Sequence, residues 1–134
     1  MNARFADAQY YIALLNPDDL YHASAKAITA GFRGTVITTE WVLAEVGNAI
    51  SQPRHRRSFV QLGSVLRSKR NVAIVPATSD QFQRGLRLYA DRVDKSWSLV
   101  DCISFVVMDE NGVREALTAD HHFEQAGFVA LLAD

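Results

Sequence analysis

What most constrains the fold of this chain is a repeated change of hydrophobic period. Short β-type runs alternate with stretches whose apolar residues recur every three or four positions. The runs are ARFA (3–6), GTVIT (34–38), NVAIV (71–75), EALTA (115–119) and GFVALL (127–132). Helical patterns lie between them. The first opens at Asp7 and runs to Leu15, where NPDD breaks it, and residues 18–30 form a second. Thr38 or Thr39 caps a third, with Val42, Leu43, Val46, Ala49 and Ile50 at helical spacing. Pro53 restarts the chain as a basic helix, since the first helical N–H has no partner to lose. Residues 79–91 make another, and Ser98 caps an apolar helix that Asn111-Gly112 ends. Strands joined by helices predict an α/β domain around a mainly parallel sheet.

With 134 residues the chain is expected to form one domain, 1–134, large enough for a real core. Its hydrophobic share of 49% excludes a disordered class, and the scattered Gly and Pro mark no linker. MNARFADAQYY lacks the apolar stretch of a secretion signal, and no run approaches a membrane span, so no membrane association is expected. The single cysteine, Cys102, rules out an intrachain disulfide and fits a cytoplasmic location. A net charge of −1 excludes coating of nucleic acid by bulk charge. Charge is uneven, however. Pro53 to Arg70 carries Arg54, Arg56, Arg57, Arg67, Lys69 and Arg70 without one acid. This segment reads as a solvated helix face or, beside an acidic catalytic site, as a contact for a phosphate backbone.

In parallel sheets ligands bind beyond the carboxyl ends of the strands. Asp7 follows the first run and Asp120 the fourth, so both project toward that edge. Glu45 lies about two turns into the third helix, and Asp101 falls in the first turn of its own. Each has a second reading. Asp7 and Asp120 suit the N-cap of the helix that follows. Asp101 stands three residues after Ser98, the spacing of a capping box. Glu45, far from any cap, reads alternatively as an exposed flank residue. If the four converge, their repulsion demands a cation. An all-oxygen set suits Mg²⁺ or Mn²⁺ rather than zinc, and such an ion promotes in-line attack on a phosphodiester.

These residues resemble a known family. SLVDCISFVVMDENGVREALTADHHFEQAGF (98–128) is similar to the C-terminal half of PIN-domain ribonucleases, with Asp101 opening a buried helix and Asp120 in a T-x-D-x-x-F pattern from Thr118 to Phe123. ITTEWVLAEVGNAI (37–50) resembles the segment around the family's helical Glu, placed at Glu45 rather than Glu40, and FADAQYYIALLNPDDLYHASA (5–25) resembles the segment of its first Asp, Asp7. The resemblance implies a three-layer α/β/α sandwich and a metal-dependent endoribonuclease similar to the VapC-like toxins of type II toxin–antitoxin pairs. It also implies Mg²⁺ or Mn²⁺ as cofactor, an RNA substrate, a cognate antitoxin and a homodimer. Asp7, Asp101 and Asp120 would be the stronger metal ligands, Glu45 would orient or deprotonate water or hold a second ion, and Thr118 would add a hydroxyl. One departure stands out. Many relatives place Thr or Ser just after the first Asp, whereas this chain has Ala8 and Gln9.

Arg54, Arg56 and Arg57 are the expected RNA contacts, and Lys95 is a candidate for a phosphate near Asp101, its alternative being a surface lysine beside a turn. His121 and His122 invite a zinc reading, which lacks a second His/Cys cluster to support it. Cys102, Trp41, Phe105 and Phe123 read as core, with Trp41 near enough to Glu45 to line the site. His22 and His55 read as surface residues. Two other functions compete. One is a PIN-like RNA- or protein-binding module with little catalysis. The other is a phosphomonoesterase, disfavoured by the lack of a Gly-rich phosphate loop.

Overall fold

The computed structural model, which describes residues 2–133, is an α/β/α sandwich around a five-stranded sheet. Strands β1 (Ala3–Ala6), β2 (Thr35–Thr39), β3 (Val72–Val75), β4 (Glu115–Leu117) and β5 (Val129–Ala130) lie in the order β3-β2-β1-β4-β5. Every neighbouring pair is parallel. The helices are α1 (Ala8–Leu15), α2 (His22–Gly31), α3 (Glu40–Ala49), α4 (Pro53–Ser68), α5 (Ser79–Asp91), α6 (Leu99–Glu110) and α7 (His121–Gln125). None of these is long and apolar enough to cross a membrane.

The strand order fixes where a ligand belongs. The chain winds outward from β1 to β3, then returns to the other side of β1 for β4 and β5. The winding reverses between β1 and β4, and a crevice opens beyond their carboxyl ends. Because β1 is central, Phe5 and Ala6 are fully buried and the chain just after them has no freedom to drift.

Behind that crevice the core is aromatic. Phe105 of α6 meets Trp97, Phe123 and Phe128 at ring-centroid separations of 5.1, 4.9 and 5.5 Å, edge-on to the first two. Helix α6 is capped as expected: the Ser98 side chain accepts the Asp101 N–H, and the Asp101 side chain accepts the Ser98 N–H. It ends at Gly112, whose φ of +66° is the left-handed turn that glycine takes at least cost. Helix α5 lies directly on it. A Cβ at Gly85 would stand 2.3 Å from Ile103 Cγ1 and 3.1 Å from Ile103 Cα.

The expected elements differ from the observed ones mainly at their ends. The second helix starts at His22 rather than residue 18. Asn16 Oδ1 accepts the Asp18 N–H and Asp19 Oδ1 the Tyr21 N–H, so these side chains hold turns where the helix would have begun. Strand β4 stops at Leu117, two residues early, because the Thr118 side chain takes the Asp120 N–H and turns the chain out of the sheet. Strand β5 is confined to two residues, although Leu131 and Leu132 still donate to Ala116 and Thr118 carbonyls. Trp41 leaves the neighbourhood of Glu45: it stacks on Phe82 and donates to Gln81 Oε1 of α5.

Candidate active site

At the switch between β1 and β4 an open depression of about 430 Å³ is lined by Asp7, Glu45, Asp101 and Asp120, with Ala8, Ile12, Ala49, Ser96, Ser98 and His122. All four carboxylates singled out in the sequence therefore meet, from four elements spread over more than 110 residues. No lysine or arginine is in the lining.

Each acid is delivered by a different local device. Asp7 is the N-cap residue of α1, yet its side chain makes no cap bond. Instead its Oδ2 accepts the Thr118 hydroxyl at 2.9 Å, and the residue is 8% exposed. Burial raises its pKa to about 6; the Thr118 and Ala8 hydrogen bonds oppose that rise, and the charges of Asp101 and Asp120 add to it. Asp101 caps α6 and lines the pocket at once. Its Oδ2 takes the Ser98 N–H at 3.0 Å and faces His122 Nδ1 at 3.2 Å. Asp120 does the same for α7, its Oδ1 taking the His122 N–H at 2.9 Å. For both, the second oxygen has no protein donor among the described residues. The choice between cap and pocket residue is thus a false one for Asp101 and Asp120, because a carboxylate has an oxygen for each duty.

Glu45 projects from the middle of α3, half-buried and without a hydrogen-bond partner among the described residues. Burial, then the charges of Asp7 and Asp101, raise its pKa to about 7. Burial is the first cause of both shifts, and the charges of the neighbouring carboxylates add to it, with no lysine or arginine in the lining to offset them. The lining offers four carboxylates, two of them with a free oxygen, no thiolate, and one imidazole whose Nδ1 faces Asp101: the carboxylate oxygens fit a hard divalent cation such as Mg²⁺ or Mn²⁺.

Two neighbours that the sequence named but gave no bracing role support the site. Gln9 Oε1 accepts the Ala119 N–H at 2.7 Å and lies 3.1 Å from Thr118 Oγ1, tying α1 to the β4–α7 turn. The Thr118 hydroxyl has one proton, and the Asp7 carboxylate is the stronger acceptor than an amide oxygen already engaged. So Thr118 is fully buried as a donor to Asp7, and supplies a hydroxyl beside the first acid where Ala8 has none. The second neighbour is His122, which the sequence offered only as a zinc candidate and which here faces Asp101.

The basic candidates fall outside the pocket but near its rim. Arg54 lines an adjoining depression that shares Ile12 and Ala49 with the acidic one. Arg56 Nε donates to the Ser51 carbonyl, and Arg57 is exposed on the same helix. Lys95 pairs with Asp94 at 3.8 Å and lines a separate depression that meets the acidic one only at Ser96. Cys102 is fully buried, and burial beside Asp101 pushes its thiol up to about 11, which leaves it inert. Asp120, His121 and His122 place potential ligand atoms within 4.8 Å of one another, although the His121 side chain is largely exposed.

Comparison with known proteins adds four findings. The PIN domain family model matches residues 4–129. The 23S rRNA-specific endonuclease VapC20 of Mycobacterium tuberculosis is 29% identical over 125 residues, covering 93% of this chain and 95% of that protein. The crystal structure of M. tuberculosis VapC20, described as a sarcin–ricin loop cleaving toxin, superposes with a TM-score of 0.87 at 26% identity over 98% of this chain and 100% of that one. VapBC2 of Rickettsia felis, bound to a DNA fragment from its promoter, shares the fold with a TM-score of 0.66 at 10% identity, over 96% of this chain and 97% of that one.

Proposed function

The chain belongs to the PIN-domain family, and from that premise we propose that it is a metal-dependent endoribonuclease of VapC-like toxin type, hydrolysing RNA phosphodiesters at the acidic depression. The observation that carries this reading is the meeting of Asp7, Glu45, Asp101 and Asp120 at the switch of a parallel sheet, in a lining without a single basic residue of fixed charge. The relative that cleaves 23S rRNA supports a structured ribosomal RNA loop as substrate.

Mg²⁺ or Mn²⁺, held by Asp7, Asp101 and Asp120, would supply Lewis acidity to a phosphoryl oxygen and to the attacking water. The rest is the work of the chain. Ser98 and Thr118 hold the acids of α6 and β1 in place so that they do not swing apart under their own repulsion. Glu45, its pKa raised to about 7 by burial and then by the charges of Asp7 and Asp101, takes the proton of the attacking water. Arg54, Arg56 and Arg57 on α4 bind the RNA backbone leading into the depression, with Lys95 a further phosphate contact from the opposite side. A cognate antitoxin, a homodimer and a cytoplasmic location complete the reading. They rest on the resemblance to VapC-like toxins.

The test is a cleavage assay on ribosomal RNA and on a sarcin–ricin loop hairpin. We expect cutting with Mg²⁺ or Mn²⁺, none with EDTA, and a loss of about 10²- to 10³-fold in Asp101→Asn, the worth of several kcal/mol of charge stabilisation. Cutting that survives both EDTA and the substitution would overturn the reading.

A further inference from the structure

Three carboxylates that line the site come from separate elements, and one residue, His122, hydrogen-bonds two of them. His122 Nδ1 stands 3.2 Å from Asp101 Oδ2 and 3.4 Å from Asp120 Oδ1, and its side chain is only 20% exposed. Both neighbours are acceptors, so Nδ1 carries a proton. The two oxygens it faces are the ones already committed to capping: Asp101 Oδ2 takes the Ser98 N–H, and Asp120 Oδ1 takes the His122 N–H. Apart from this imidazole, the hydrogen bonds of the two acids run to their own helix starts. Phe123, the next residue, is fully buried against Phe105 of α6, which pins the start of α7 and leaves the ring little room to leave.

We propose that His122 is a positioning residue of this site. Its Nδ1–H holds the Asp101 carboxylate of α6 while its backbone N–H holds the Asp120 carboxylate at the start of α7, so that one residue ties the two acids together and keeps the second oxygen of each turned into the depression. The inference rests on the reading of that depression as a cation site. Such partners of ligating carboxylates commonly matter about 10- to 100-fold for metal affinity when removed. His122 acts through Asp101 and Asp120 and is not itself a ligand.

The decisive experiment is calorimetric titration of the full chain with Mn²⁺, comparing the parent with His122→Ala, His122→Asn and His122→Gln, beside thermal melts in EDTA. An asparagine amide N–H sits where Nδ1–H sits, whereas a glutamine amide reaches the place of Nε2. The expected result is a loss of about 10- to 100-fold in affinity for the alanine variant, restored by asparagine and not by glutamine. Cleavage by the alanine variant should recover at high Mn²⁺, since the reaction itself keeps its groups. A long-range ¹H–¹⁵N spectrum of the metal-free parent should show the Nδ1–H proton. Should the alanine variant melt early, the asparagine and glutamine variants decide between themselves. Parental affinity in His122→Ala, or asparagine no better than glutamine, overturns the clamp while leaving the cation site standing. A parent chain that binds no Mn²⁺ at millimolar levels overturns the cation site and the clamp with it.

Discussion

Helices α6 and α4 are the two most distinctive helices of the molecule, and they are built to opposite rules. Helix α6 buries Cys102, Ile103, Ser104, Phe105, Val107 and Met108 in twelve residues, whereas α4 buries only Leu66 in sixteen. The first carries Asp101 and the second carries the arginines. Holding like charges together requires a scaffold that cannot yield, and each large apolar side chain of α6 contributes roughly 1.5–3 kcal/mol toward that rigidity. Meeting a phosphate backbone needs only positive charge in water, which a solvated helix supplies without a core. The difference teaches that the site is a rigid acidic pole served by a soft basic flank. Three measurements can break or sharpen that contrast.

The largest effect concerns the strain stored at the acidic pole. Asp7 has a folded pKa of about 6 against an ordinary value of 3.8. Between those values the folded state binds more protons than the unfolded one, so stability falls as pH rises through the window and is lowest above it. Glu45 extends the fall toward pH 7, the value to which its own pKa is raised. In EDTA, unfolding free energy should therefore drop between pH 4 and pH 7, by on the order of 2–3 kcal/mol from Asp7 alone. Asp7→Asn should flatten the profile and be the more stable protein at pH 8. Denaturant unfolding across this range checks it, and a parent profile that rises with pH would end the idea of an unneutralised pole.

Next comes Gly85→Ala. The added methyl lands on Ile103, two residues from Asp101, and should cost about 1–3 kcal/mol of stability. Mn²⁺ affinity should fall with it, because α6 must shift. A urea midpoint equal to that of the parent would show that α6 is not held as tightly as its burial implies.

The smallest effect belongs to α4. Replacing Arg54 and Arg57 together by alanine should weaken RNA binding and lower the salt slope of the affinity by about one to two. Stability should stay within about 0.5 kcal/mol, as for other exposed positions. Fluorescence anisotropy at several salt concentrations reads this directly. An unchanged slope would move the RNA path elsewhere.

Much of this was legible before any coordinates. The caps at Thr39 and Ser98, the proline at the head of α4 and the glycine stop after α6 are local chemistry, and local chemistry is written in short stretches of sequence. The four acids were legible because each sits at a fixed offset from a strand or cap. Gln9 and His122 were not. Gln9 meets Ala119 across 110 residues and His122 meets Asp101 across 21, and such meetings depend on side-chain direction rather than on spacing. The early end of β4 and the late start of α2 follow from side chains that outcompete the regular backbone pattern, a competition that propensity cannot weigh. Lys95 was drawn toward Asp101 by nearness in sequence, but its nearest acid is Asp94, the residue beside it.

The central place of β1 in the sheet has one more consequence, for the order in which the protein is made. The strand that carries Asp7 emerges first, yet its partner on one side, β4, is Glu115–Leu117, and Asp120 comes later still. A growing chain that has passed β3 has a sheet with a bare edge on β1 and two of the four acids, Asp101 and Asp120, still unmade. The acidic depression is therefore assembled only once Asp120 has followed and β4 has docked beside β1.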